Sequence, residues 1–106
     1  PRMERIEAML AETPDDQFLR YGLAMEHAGA GDDEACVAVL RDLIARSAAN
    51  PYVGAYLQAG QALARLDRPA EAAAVLRDGI AAAERVGGAD AAHARSEMLG
   101  LLAAVE

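Results

Sequence analysis

An all-α domain built from repeated helix pairs is what this sequence predicts, on three observations. The stretch Val39 to Ala45, VLRDLIA, returns as VLRDGIA from Val75 to Ala81 with one residue of seven changed. Alanine supplies about a quarter of the 106 residues and only 4% are aromatic, so strong helix formers dominate and strand formers are scarce. Short breaks rich in Pro, Gly and Asp separate segments of helical periodicity.

The elements follow in order. A first helix is expected from about Met3 to Ala11, with Met3, Ile6, Met9 and Leu10 on one face. Thr13-Pro14 has the form of a cap followed by Pro at the first helical position, and is expected to open a helix reaching about Ala28. GAGDD, Gly29 to Asp33, breaks that helix, and Asp32 is placed to cap the next. Asn50-Pro51 repeats the form of Thr13-Pro14 and is expected to open a helix reaching about Leu66. LDRP, Leu66 to Pro69, ends it, and Pro69 suits the first turn of the helix that follows. VGGAD, Val86 to Asp90, ends that one. A last helix is expected from about Ala91 to Val105, with Met98, Leu101, Leu102 and Val105 on one face. The chain therefore divides into an N-terminal helix (1–12), a first repeat (13–50), a second repeat (51–87) and a C-terminal capping helix (88–106), about six helices in one domain.

The repeats align residue by residue. Phe18, Tyr21, Gly22 and Met25 return 38 residues later as Tyr56, Ala59, Gly60 and Leu63. Cys36, Leu40 and Leu43 return 36 residues later as Ala72, Leu76 and Gly79. The offsets differ by two because AGAGDD is longer than LDRP. Gly22 and Gly60 are expected to be points of close approach between paired helices, with the bulkier residues filling the seam.

This pattern resembles the tetratricopeptide repeat family over about Pro14 to Arg85. In YLQAGQALARLDRPAEAAAVLRDGIAAA, Tyr56 stands at the family's opening aromatic, Gly60 at its first-helix glycine, Leu63 at the following large residue, and Ala72 at the small residue opening the second helix. The first unit matches through Phe18, Gly22, Met25, Cys36 and Leu40. The period is 36 to 38 residues rather than the family's 34, and Pro51 comes several residues later than the family's closing proline. The resemblance implies antiparallel helix-turn-helix pairs stacked as a short solenoid, with the flanking helices as caps.

Composition narrows the chemistry. The net charge of −7 argues against nucleic acid and anionic membrane surfaces as partners. All ten basic residues are Arg, which removes the phosphate-binding lysine of Walker-type sites and any Schiff-base lysine. A single cysteine forms no internal disulfide and points to a reducing compartment, the cytoplasm. Cys36 falls on the packing face and is expected to be a buried, inert thiol. His27 and His93 are the only histidines. His93 and Glu97 stand at i,i+4 spacing, a surface pair rather than a metal centre, and no zinc-ligand spacing is present. Ser47 and Ser96 lie in no nucleophile-elbow context, and the glycines form no phosphate-binding loop. No catalytic residues, metal or cofactor are predicted, and the chain is read as a non-enzyme.

What remains is a binding surface. The resemblance implies that the first helix of each pair lines a concave groove. Carried over by helical face, the first unit would present Leu19, Leu23, Glu26 and His27, and the second Leu57, Gln61, Ala64 and Arg65, with Glu97 and Leu101 added by the last helix. Leu19, Leu23 and Leu57 would then form an apolar strip with a polar edge, suited to a peptide or amphipathic helix of another protein; buried under the flanking helices, the same leucines would be core. Family members that grip a C-terminal carboxylate use Lys and Asn in the groove; this chain has no Lys, and its one Asn is Asn50. The competing expectation is self-assembly, with the exposed repeat faces pairing two copies as a homodimer.

Overall fold

The computed structural model describes residues 1–106, and these form six helices and no strand. They are α1 (Arg2–Glu12), α2 (Gln17–Gly29), α3 (Asp33–Arg46), α4 (Val53–Arg65), α5 (Pro69–Val86) and α6 (Ala89–Val105). α2 packs on α3, and α4 on α5; α3 also packs on α4, and α6 lies across both α5 and α4. Two helix pairs are thus stacked, with α1 at one end and α6 at the other. The radius of gyration is 13.4 Å. That matches about 13 Å for a compact domain of this length, so two pairs are too few to draw the chain out into a long superhelix.

Local signals set most boundaries. Asp32 caps α3 as expected, its carboxylate accepting from the Ala35 N–H at 3.1 Å. Pro69 stands in the first turn of α5, where a missing N–H costs nothing. Two predicted caps are corrected. Thr13 closes α1 instead of opening α2: its N–H and its hydroxyl both donate to the Met9 carbonyl, at 3.0 and 2.9 Å. Asp16 is the residue that caps α2, accepting from the Leu19 N–H at 3.0 Å. Asn50 does not cap α4 either. Its N–H closes a turn onto the Ser47 carbonyl at 3.0 Å, and the helix begins at Val53. In both places a two- or three-residue turn absorbs the Pro before helical geometry starts. α6 begins at Ala89, two residues earlier than expected, because Gly87 and Gly88 take up the whole reversal at positive φ.

The core has two parts. The first joins α2, α3 and α4 through Ala24, Cys36, Leu40, Leu43, Ala59 and Leu63 among others, with Tyr21 and Met25 packed against it. The second joins α4, α5 and α6 through Tyr56, Leu57, Leu76, Ala82, Ala83 and Met98. Alanine is frequent in both, which lets helix backbones approach closely.

The glycines behave differently in the two pairs. A Cβ on Gly60 would meet the Leu76 side chain at 2.5 Å, so α4 and α5 touch there as expected. Gly22 does not touch its partner helix. A Cβ on it would meet only Ile6 of α1, at 3.8 Å, and Phe18, one turn earlier, is 73% exposed. The expected seam through Phe18 and Gly22 is therefore corrected to one through Tyr21, Ala24, Met25 and Ala28. The two extra residues in the α2–α3 turn change how α3 lies against α2. Leu43 also fills, in the first pair, the register position that Gly79 leaves open for the Tyr56 ring in the second.

Candidate functional site

The first helices of the pairs, α2 and α4, carry most of the predicted surface, and α6 the rest. On α2, residues 19, 22, 23 and 26 share one face by helical spacing. α1 runs along that face: Ile6 stands over Gly22, and Arg2 donates to the Glu26 carboxylate at 3.2 Å. Leu19 and Leu23 are half-buried beside it and pack against neither core cluster. His27 is half-buried and closes the row. α2 and α4 meet through Tyr21, whose ring lies 5.1 Å from that of Tyr52. Burial raises the Tyr21 phenol above its ordinary value, while a hydrogen bond with the Gln58 side chain acts the other way.

The second half of the predicted strip is corrected. Leu57 is buried, with 8% of its surface exposed, and belongs to the second core cluster with Met98 of α6. It is core, and the continuous row Leu19, Leu23, Leu57 does not exist as an open strip. Gln61 and Ala64 are half-buried. Arg65 is not a free cation. Its guanidinium is forked onto Asp33, with Nη2 to Oδ1 at 2.8 Å and Nε to Oδ1 and Oδ2 at 3.1 and 3.2 Å, which ties the end of α4 to the start of α3. On α6, Glu97 pairs with His93 at 2.8 Å in the open, and Leu101 is half-buried against the second cluster. The structure thus groups Leu19, Leu23, Glu26 and His27 on α2, and separates Leu57 and Arg65 from them by giving each another task.

Phe18 is what the sequence reading misplaced. Its register match to Tyr56 suggested burial, and no local signal in the sequence says that it faces outward.

The Arg65–Asp33 contact makes a prediction about pH. The hydrogen bonds from Arg65 hold the Asp33 carboxyl below the usual carboxylate range, with the opposing effect of desolvation and the added attraction of the Arg65 charge. A carboxyl held low in the fold and near about 3.9 in the unfolded chain stabilises the fold above that pH, and loses this contribution as pH falls through the folded value. Asp33→Asn should therefore melt below the parent at pH 6, and the two curves should converge below about pH 4. Thermal melts at stepped pH values check this; a gap that persists at pH 3 would count against the ion pair as its source.

Cys36 has none of its surface exposed, and burial pushes its thiol up from the ordinary value. A protonated, enclosed thiol is a poor nucleophile. Labelling by a maleimide at pH 7 should be slow in the folded protein and fast in urea. Equal rates would place Cys36 at the surface. Cys36→Ala should fold normally, as Ala72 does at the equivalent position. No group of three His, Cys, Asp or Glu side chains is arranged to hold a metal ion.

The arrangement as a whole, helix pairs stacked in register with caps at both ends, defines an all-helical repeat protein. No protein-family model matches the chain, and neither does any curated protein. Solved structures do. The chain is similar to a tetratricopeptide repeat domain protein from Salinibacter ruber whose structure was solved by NMR in solution, with 31% identity, a TM-score of 0.73, and 88% of this chain and 89% of that one covered. A crystal structure of a tetratricopeptide repeat domain protein from Salinibacter ruber matches at 30% identity and a TM-score of 0.71, covering 85% of this chain and 96% of that one. The chain belongs to the tetratricopeptide repeat family. No helix in it is long and apolar enough to cross a membrane.

Proposed function

We propose that the chain is a non-catalytic docking module of the cytoplasm that binds a peptide or helix of another protein along α2. The observation that carries this is Phe18. It is the chain's one Phe and the most exposed of its large apolar side chains, at 73%. Leu19 adjoins it and Leu23 follows one turn on, and none of the three packs against either core cluster. Exposed aromatic and leucine side chains on one helix offer the anchors that dominate binding energy. Glu26 and His27 border them, with Gln61, Arg65, Glu97 and Leu101 placed to meet a longer ligand across α4 and α6.

Charge supports a protein partner over a nucleic acid. Arg2, Arg20, Arg41, Arg46, Arg65, Arg68, Arg77 and Arg95 are each within 4.0 Å of a carboxylate, which leaves only Arg5 and Arg85 free to meet phosphates.

The test uses a partner recovered by pull-down from the native source and then titrated as a purified protein. Phe18→Ala and Leu23→Ala should each weaken its binding by about 1–3 kcal/mol. Leu57→Ala should lower the stability of the free protein, since Leu57 is core. Binding unchanged in both α2 variants would remove α2 as the docking helix. A solution mass of two chains that returns to one in Phe18→Ala would favour self-assembly, with a second copy covering the same face.

A further inference from the structure

The twin heptapeptides build a groove on the opposite set of helices, one that the reading above does not use. It lies between α3 and α5 and has a volume of about 370 Å3. Small-molecule and side-chain sites run from about 300 to 1,000 Å3, so this one suits a single large side chain rather than a folded domain. Ile44, Ala74 and Val75 supply its apolar walls, and the Tyr56 ring is exposed to it. The Tyr56 hydroxyl has no partner in the chain, and no buried polar side-chain atom is left unsatisfied, so that hydroxyl meets water in the groove.

The charges at the rim are unequal. Arg41 on α3 and Glu71 on α5 neutralise each other across one end at 3.0 Å. Asp78 stands at the rim on α5, exposed, with no cation within 4.0 Å. Its repeat equivalent makes the contrast. Asp42 holds the same place in VLRD, yet it accepts from Arg20 at 2.8 Å and from Arg46 at 3.0 Å. Arg77, next to Asp78, is engaged by Glu106. One carboxylate beside an apolar groove is thus left without a counter-charge, in a chain of net charge −7.

We propose that the α3–α5 groove binds a basic, apolar segment of a partner protein: one large aliphatic side chain enters between Ile44 and Val75, and a flanking Arg or Lys of the partner pairs with Asp78. The site is separate from the α2 face, so the two fail or stand independently.

The experiment uses three acetylated, amidated five-residue peptides, followed by amide and methyl chemical shifts of the whole chain. One has a central leucine flanked by arginines, one the same leucine flanked by glutamates, and one a central alanine flanked by arginines. The arginine–leucine peptide should give saturable shifts at Ile44, Tyr56, Ala74 and Val75. The other two should bind at least about tenfold more weakly, since each lacks one of the two interactions. Asp78→Arg should weaken the first peptide about tenfold or more and narrow its preference over the glutamate peptide. Ala74→Trp should abolish its binding by filling the groove, while Phe18→Ala should leave it unchanged. Shifts that never saturate, equal binding of the basic and acidic peptides, or shifts confined to α2 would each overturn the proposal.

Discussion

Gly79→Ala should melt well below the parent although alanine is the better helix former. Gly79 sits inside α5, where replacing Gly by Ala normally gains about 1 kcal/mol. Here the added Cβ would collide with the Tyr56 Cβ on α4 and approach the Met98 sulfur on α6 at 2.6 Å. The Tyr56 atom is fixed close to its backbone and cannot swing away. Overpacking of this kind costs about 1–3 kcal/mol, and more where neighbours are rigid, so the clash outweighs the propensity gain. Gly100→Ala is the control. It also lies within a helix, α6, but nothing stands within 4 Å of its would-be Cβ. It should stabilise by up to about 1 kcal/mol. Urea melts of the two variants read the comparison. A stabilised Gly79→Ala would mean that α4, α5 and α6 do not converge on this residue.

Met98→Ala should cost still more, about 2–5 kcal/mol. Met98 is completely buried and is the largest side chain that α6 commits to the second core cluster. Its removal leaves a cavity lined by Tyr56 and Gly79, which two crossing helices cannot easily close. Exchange of amide hydrogens should rise first along α6, the terminal helix with one packed side. The two substitutions share one space, so they should not be additive: in Met98→Ala the penalty of Gly79→Ala should shrink, because part of the collision is gone. Additivity of the two would contradict the contact.

The repeat was legible because packing repeats in sequence when it repeats in space. VLRD returned at Leu40 and Leu76, both fully buried, and LDRP and GAGDD marked their turns correctly. Asp32 and Pro69 could be placed because their effects act within one helical turn. The caps at Thr13 and Asn50 were misread for the same kind of reason. Thr-Pro and Asn-Pro are compatible both with the start of a helix and with the turn before it, and three residues of context do not choose.

The surface was legible only in part. Leu19, Leu23, Glu26, His27, Gln61 and Arg65 fall on the helices expected for them, but exposure is a property of what lies opposite. Leu57 and Leu19 are repeat equivalents; α6 buries the first, while α1 only half-covers the second. Phe18 and Tyr56 are equivalents too, and a single residue on the partner helix, Leu43 or Gly79, separates an exposed ring from a buried one.

The sequence by itself determined the helical class, the two pairs, the turns between them and the inert cysteine, because each depends on local propensity or on a pattern repeated within one chain. The tertiary structure alone decided which apolar side chains face water, which arginines are already paired, and where two VLRD helices leave a groove. Those outcomes depend on the contact of residues about 20 to 40 positions apart, and a shift of two residues in one turn is enough to change which side chains meet.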